Sequence, residues 1–254
     1  MNDTMAALFL KKLHDGELLV GTMLTLPSPE IAEIMGLVGY DWLFLDGEHA
    51  AFSALDMQRI VQSVGERIPC LIRLAAGEEV YIKKALDSGA AGVIAPMINT
   101  PDQVEKVLRY AKYPPKGVRG VGLGRAQGYG LMFQEYIQRA NNETTMVIQV
   151  EHITAVENIE AITKVSGIDA VLIGPYDLSA SMGRMGEVGH PEVVAAIHYV
   201  IKICQGQKLP LGIFGLSADD LLDYRGRGFT LIVAGVDTLF LGEAAKKLLT
   251  QLKS

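Results

Sequence analysis

Cysteine is scarce in this chain: two residues in 254, Cys70 and Cys204, with no C-x-x-C spacing. That leaves no disulfide framework and no cysteine-based zinc set, and it points to a reducing, cytoplasmic setting. Long apolar runs are missing as well, since no stretch reaches the about 18 uninterrupted apolar residues that a membrane span needs. The opening MNDTMAALFLKKLHDG carries an acidic residue early, and its apolar run after Ala6 ends at Leu10, too short for a signal-peptide core. Positive charge is in deficit, with 23 Lys and Arg against 29 Asp and Glu, a net charge of −6 and no basic cluster. Nucleic acid and anionic lipid therefore find no electrostatic footprint. The patterns G-x-x-x-x-G-K-[ST], G-x-S-x-G and H-E-x-x-H do not occur, which removes the commonest NTPase, serine-hydrolase and zincin readings.

What is present is apolar residue in quantity, 49% of the chain, enough for a sizeable core. Short runs rich in Val, Ile, Leu and Phe recur at Leu18–Leu26, Asp41–Asp46, Pro69–Leu74, Gly92–Met97, Met146–Glu151, Ala170–Gly174, Pro210–Phe214 and Phe229–Ala234. Their continuous hydrophobicity, without alternation, predicts parallel strands buried on both faces. Helical periodicity lies between them, as in Ser53–Val64, with Ser53 as N-cap, and Glu78–Leu86, with Gly89 as C-cap. Eight strand–helix repeats in about 250 residues are the arithmetic of a single (β/α)8 TIM barrel domain over 1–254, with a doubly wound open sheet as the alternative. The irregular piece is Tyr113–Asn142, where YPPKGVRGVGLGRAQGYG precedes a helix-like Leu131–Ala140. Its Gly122–Gly128 portion echoes a dinucleotide fingerprint, but no apolar strand precedes it, and it reads as a flexible lid.

A barrel carries its chemistry at the carboxyl ends of its strands. Here strand 2 ends in Asp46-Gly47-Glu48-His49, strand 3 carries Arg73, strand 5 ends in Gln149-Val150-Glu151 and strand 6 runs into Gly174-Pro175-Tyr176-Asp177. Glu151 and Asp177 close adjacent strands, about 4.8 Å apart, so both could hold one hard cation such as Mg²⁺ or Mn²⁺. Alternatively, Glu151 pairs with Arg73 and Asp177 caps the next helix. His49 is either a proton-transfer group or an ordinary hydrogen-bonded histidine. Arg73 interrupts an apolar strand and needs an anionic partner, a neighbouring carboxylate or a substrate oxyanion. No lysine lies inside a strand, and the nearest, Lys208, precedes strand 7, so a Schiff-base mechanism lacks its nucleophile.

These segments resemble the HpcH/HpaI class II pyruvate aldolases, a family that includes 2,4-dihydroxyhept-2-ene-1,7-dioate, 2-keto-3-deoxyglucarate and 2-keto-3-deoxyrhamnonate aldolases. The resemblance is carried by DWLFLDGEHA, IRLAAGEEVYIKKALDSGAAGVIAPMI, YPPKGVRG, IQVEHITAVENIEAI, GIDAVLIGPYDLSASMG and VAGVDTLFL, from about Gly21 onward. It implies a phosphoenolpyruvate/pyruvate-type barrel that reversibly cleaves a 2-keto-4-hydroxy acid into pyruvate and an aldehyde through a metal-bound pyruvate enolate. By resemblance Glu151 and Asp177 hold the divalent metal (Mg²⁺ or Mn²⁺, with Co²⁺ an alternative), Gln149 supports them, and Arg73 stabilises the enolate oxygen. His49, oriented by Asp87, acts with metal-bound water on the C4 hydroxyl proton, and Glu48 orients that water.

The resemblance also places the pyruvate carboxylate on the backbone amides of Tyr176 and Asp177, and expects acceptor contacts from the glycine-rich loop, Arg125 included, and from a neighbouring chain. It implies a homo-oligomer, trimer or hexamer, that exchanges a last helix at about Leu239–Leu252. Relatives commonly have a small residue at 176 and Thr or Ser at 152, where this chain has Tyr176 and His152. Two alternatives stand beside the aldolase: a citryl- or malyl-CoA-type lyase of the same superfamily, for which no CoA-binding segment is recognisable, and a non-catalytic keto-acid-binding protein.

Overall fold

A computed structural model describes residues 3–253, so Met1 and Asn2 of the opening stretch, and Ser254, lie outside it. In chain order the elements are α1 (Met5–His14), β1 (Leu19–Leu24), α2 (Pro29–Val38), β2 (Trp42–Asp46), α3 (Ala54–Val64), β3 (Cys70–Arg73), α4 (Glu79–Asp87), β4 (Gly92–Ala95), α5 (Pro101–Ala111), α6 (Phe133–Glu143), β5 (Thr145–Val150), α7 (Ile153–Glu157), α8 (Ile159–Ile162), β6 (Ala170–Ile173), α9 (Pro175–Ser181), α10 (Pro191–Gly206), β7 (Leu211–Gly215), α11 (Ala218–Gly226), β8 (Leu231–Val236) and α12 (Asp237–Lys253). All eight strands lie within the apolar runs or at most two residues beyond them. They pair in parallel in sequence order, and β8 returns to β1, which closes the barrel and excludes the open sheet.

Continuous hydrophobicity arises because each strand packs on two faces. Inward side chains, among them Leu19, Trp42, Phe44, Leu71, Ile94, Val147, Leu172 and Val233, fill the barrel. Outward ones, among them Leu43, Leu45, Ile72, Val93, Ile148, Val171 and Ile213, meet the helices. The fully buried Trp42 lies over β1 so closely that a Cβ at Gly21 would sit 2.6 Å from its ring, which is why that strand carries glycine there. The Phe9 ring of α1 lies tilted against Trp42 at 6.1 Å, and with Leu13, one turn on, Phe9 buries against the barrel interior.

Helix starts follow local chemistry. Ser53 accepts from the Asp56 amide while Asp56 bonds back to Ser53, and Thr100 does the same with Gln103 ahead of Pro101. At the end of α4 the C-cap is Ser88, and Gly89 follows it at φ +93°. The expected helix after the irregular segment begins at Phe133, two residues later than its periodicity suggests.

α12 leaves an apolar face uncovered. Of its residues only Asp237 is buried, and Leu239, Phe240, Leu241, Leu248, Leu249 and Leu252 are exposed. Asp237 roots it, accepting from the amide and hydroxyl of Thr25 and the amides of Leu26 and Thr238. Cys70 and Cys204 are buried free thiols, each pushed by burial up to about 12. No helix of the described residues is long and apolar enough to cross a membrane.

Candidate active site

Asp46 and Arg73 are register partners on β2 and β3, at the carboxyl ends of both strands. Their side chains meet at two points, Arg73 Nε donating to Asp46 Oδ1 at 3.0 Å and Nη2 lying 2.9 Å from Oδ2. Asp46 Oδ1 also accepts from the amides of Glu48 and His49, which folds the strand end into a tight turn. Burial alone would raise the Asp46 pKa, but the bond and charge of Arg73 with those two amides hold it below the usual carboxylate range. Arg73 also stands 5.3 Å over the Phe44 ring and 3.3 Å from Glu48 Oε2. Its Nη1 keeps no protein partner among the described residues.

Glu151 follows β5 and is buried, yet it does not pair with Arg73. Its Oε1 accepts from the Met97 amide at 2.7 Å, and its Oε2 accepts from Gln149 Nε2 in a very short contact. Met97 reaches that position with φ +53°, a left-handed conformation that costs a non-glycine residue about 1 kcal/mol. Burial, joined by the charges of Glu48 and Asp177, pushes Glu151 up against the lowering effect of its two donors. Glu48 is likewise pushed up, by burial first and by Asp46 and Asp177, against Arg73 and His49.

Asp177 stands in the first turn of α9, but that helix is capped at Gly174 without a side-chain bond. Its carboxylate has no hydrogen-bond partner among the described residues and lies close enough to shift both glutamates. Four carboxylates thus gather here, two of them within reach of Arg73. Gln149 adds an Oε1 that is buried without a partner. This all-oxygen set, with an orphaned carbonyl among unneutralised carboxylates, fits a hard divalent cation that keeps some of its waters. No group of three His, Cys, Asp or Glu among the described residues is placed to hold a metal, so protein carboxylates would supply only part of the coordination.

The structure therefore gathers Glu48, His49, Arg73, Gln149, Glu151 and Asp177 at one mouth of the barrel. His49 is exposed there, its Nε2 3.7 Å from Glu48 Oε2. Tyr176, 61% exposed, is beside Asp177 with its carbonyl held by Ser179 Oγ. His152 turns out to be the N-cap of α7, its Nδ1 accepting from the Thr154 amide.

Two of the expected site residues lie away from the mouth within this chain. Asp87 does not orient His49 within the chain: it is the last residue of α4, which returns about 13 Å toward the opposite end of the barrel, and it bonds to Arg119 there. Arg125 is not at the mouth either. Its guanidinium donates to the carbonyls of Ser88 and Val61 at the ends of α4 and α3, and Arg125–Gly130 forms a kinked 3-10 segment whose own Gln127 is buried, where a flexible lid was expected. Conversely, the sequence singles out neither Asp46 as the partner of Arg73 nor Met97 as a donor to Glu151. Asp46 was visible as an acid in register with an arginine that needed one; Met97 gives no sequence signal, because its part is played by backbone.

A closed parallel barrel with an arginine, a histidine and a carboxylate set at its strand ends has the architecture in which barrel enzymes carry their active site. The chain belongs to the HpcH/HpaI aldolase/citrate lyase family, which residues 20–244 match. It is 38% identical over 234 residues to the hydroxypyruvate/pyruvate aldolase of Cupriavidus necator, covering 90% of this chain and 86% of that one. It is 37% identical over 257 residues to the 2-keto-3-deoxy-L-rhamnonate aldolase of Klebsiella pneumoniae subsp. pneumoniae, covering 100% and 96%. A solved HpcH/HpaI aldolase/citrate lyase family protein from Burkholderia cenocepacia superposes with TM-score 0.93 at 32% identity, over 98% of this chain and 100% of that one. The chain is accordingly a carbon–carbon lyase of the aldolase type.

Proposed function

We propose that the chain reversibly cleaves a 2-keto-4-hydroxy acid into pyruvate and an aldehyde. The observation that carries this is the pairing of an arginine fixed at two points, one nitrogen still free, with the under-neutralised Glu151, Asp177 and Gln149 Oε1. Glu151 and Asp177 would hold a divalent cation, which supplies Lewis-acid polarisation of the keto acid. Arg73 Nη1 binds the C2 oxygen and stabilises it as negative charge develops. The C4 hydroxyl gives its proton to His49, the C3–C4 pair moves into the C2–C3 bond, and the aldehyde leaves. The proton then returns to C3, giving pyruvate. Asp46 keeps the arginine in place, and the amides of Tyr176 and Asp177, in the first turn of α9, have no intrahelical acceptor and suit the substrate carboxylate.

Among the described residues of one chain His49 has no carboxylate but Glu48 within reach. Asp87 serves His49 from a second copy, and the exposed leucines of α12 are the segment exchanged in that assembly. The test is pyruvate release from a panel of 2-keto-4-hydroxy acids by EDTA-treated and Mn²⁺-restored enzyme, with Asp177→Ala alongside. Metal-dependent release from one substrate supports the reading and names the aldehyde. No release from any, by folded and metal-loaded protein, contradicts it and favours an acyl-CoA lyase or a binding protein.

A further inference from the structure

We infer that Arg119 is a positioning residue, clamped by Tyr113 and Tyr136, that fixes one oxygen of Asp87 and presents the other outward to the histidine it serves; this rests on the placement of Asp87 proposed above. Asp87 sits at the carboxyl end of α4, where the helix dipole disfavours a negative charge. A cation is built in to hold it. Arg119, its side chain wholly buried, donates from Nη2 to Asp87 Oδ1 at 2.7 Å and from Nη1 to the Tyr136 hydroxyl at 3.1 Å. Its guanidinium lies 4.6 Å from the Tyr113 ring and 5.6 Å from the Tyr136 ring, and the rings meet edge to face. Gln127, also fully buried, donates to the Tyr113 hydroxyl at 3.0 Å.

The arrangement is poor as a stability device. Arg119 Nε and Gln127 Oε1 are both buried with no partner among the described residues, and a buried charge pair rarely outperforms apolar packing of the same volume. What it achieves is geometry: Oδ1 is fixed and Oδ2 carries no bond. The carboxylate is partly exposed on a surface cavity of about 440 Å³ lined also by Leu55, Val80, Lys84 and Leu123. The glycine-rich segment fits the same purpose, since a Cβ at Gly124 would lie 3.0 Å from the Asp87 carbonyl and 3.2 Å from Gln127 Oε1. Glycine at 124 lets the segment between Arg119 and Gln127 lie close against Asp87.

The test measures kcat and the KM for the keto acid in the metal-loaded holoenzyme for Arg119→Lys and Tyr136→Phe, each alone and combined with Asp87→Asn, with oligomeric state checked by light scattering. Arg119→Lys is expected to lower kcat about 10-fold, as loss of a group supporting an active-site residue does. Tyr136→Phe, which keeps the ring and folds if Arg119→Lys does not, is expected to lower it roughly threefold, the worth of one neutral hydrogen bond. KM stays unchanged, and neither substitution lowers kcat further once Asp87 is Asn. Losses that add to that of Asp87→Asn, or no loss while Asp87→Asn is impaired, overturn the positioning role and leave the aldolase reading standing. Normal turnover by Asp87→Asn removes the proposed role of Asp87 and this inference with it, and absence of turnover by the unsubstituted protein removes both through the aldolase reading.

Discussion

Arg73 and Asp46 form a two-point ion pair across adjacent strands, 3.0 Å and 2.9 Å between their atoms, with both side chains buried. Removing one member strands the other's charge, so Asp46→Asn should lose about 3 kcal/mol of folding stability by urea denaturation at pH 7. The pH dependence follows from the direction of the Asp46 shift. Its folded pKa is lowered, so its contribution is complete above the unfolded carboxylate value of about 3.9 and is lost as pH falls through the lower folded value. The stability gap between the unsubstituted protein and Asp46→Asn should be constant from about pH 8 to 5 and shrink below about pH 4. A gap that instead widens in acid would contradict the ion-pair account.

Gly21→Ala forces a methyl into the Trp42 ring, 2.6 Å away in a packed barrel interior. The expected loss is about 1 to 3 kcal/mol, the usual range for overpacking, read from the denaturation midpoint.

The strands were legible because burial on both faces writes itself as continuous hydrophobicity, and Trp42, Val93 and Ile148 report it directly. The site was legible where a polar residue interrupts or ends such a run, as Arg73 and Glu151 do. It was not legible where a helix intervenes: the distance from Arg73 to Asp87 along the chain says nothing of the fact that α4 carries Asp87 to the far end. Arg125 misled for a related reason, since an arginine in a glycine-rich loop reads the same whether it faces substrate or caps the carbonyls of Val61 and Ser88. His152 stands where the resemblance leads one to expect Ser or Thr, and its imidazole does the work of a Ser or Thr N-cap.

Cation binding by Glu151 and Asp177 should be visible without turnover. Mn²⁺ at about 100 times its Kd should add about 2.7 kcal/mol to the stability of EDTA-treated protein, and Asp177→Ala should abolish that gain. An equal gain in the Asp177→Ala protein would place the cation elsewhere.

If Asp87 serves His49 between copies, two impaired variants should rescue each other. Coexpressed His49→Ala and Asp87→Asn chains should form mixed assemblies with some sites intact, with activity well above that of either variant alone. Assemblies verified as mixed by mass spectrometry but without recovery would place both groups in one chain's site.

The most direct test of the central claim needs no knowledge of the aldehyde. Metal-loaded protein is incubated with pyruvate in D₂O and the methyl signal is followed by proton NMR. Stabilisation of the enolate by Arg73 predicts loss of that signal as deuterium enters C3, slowed on the order of 100-fold by Arg73→Ala, the cost of removing an oxyanion stabiliser, and abolished by Asp177→Ala. A methyl signal that persists in the presence of the folded, metal-loaded protein would contradict the account.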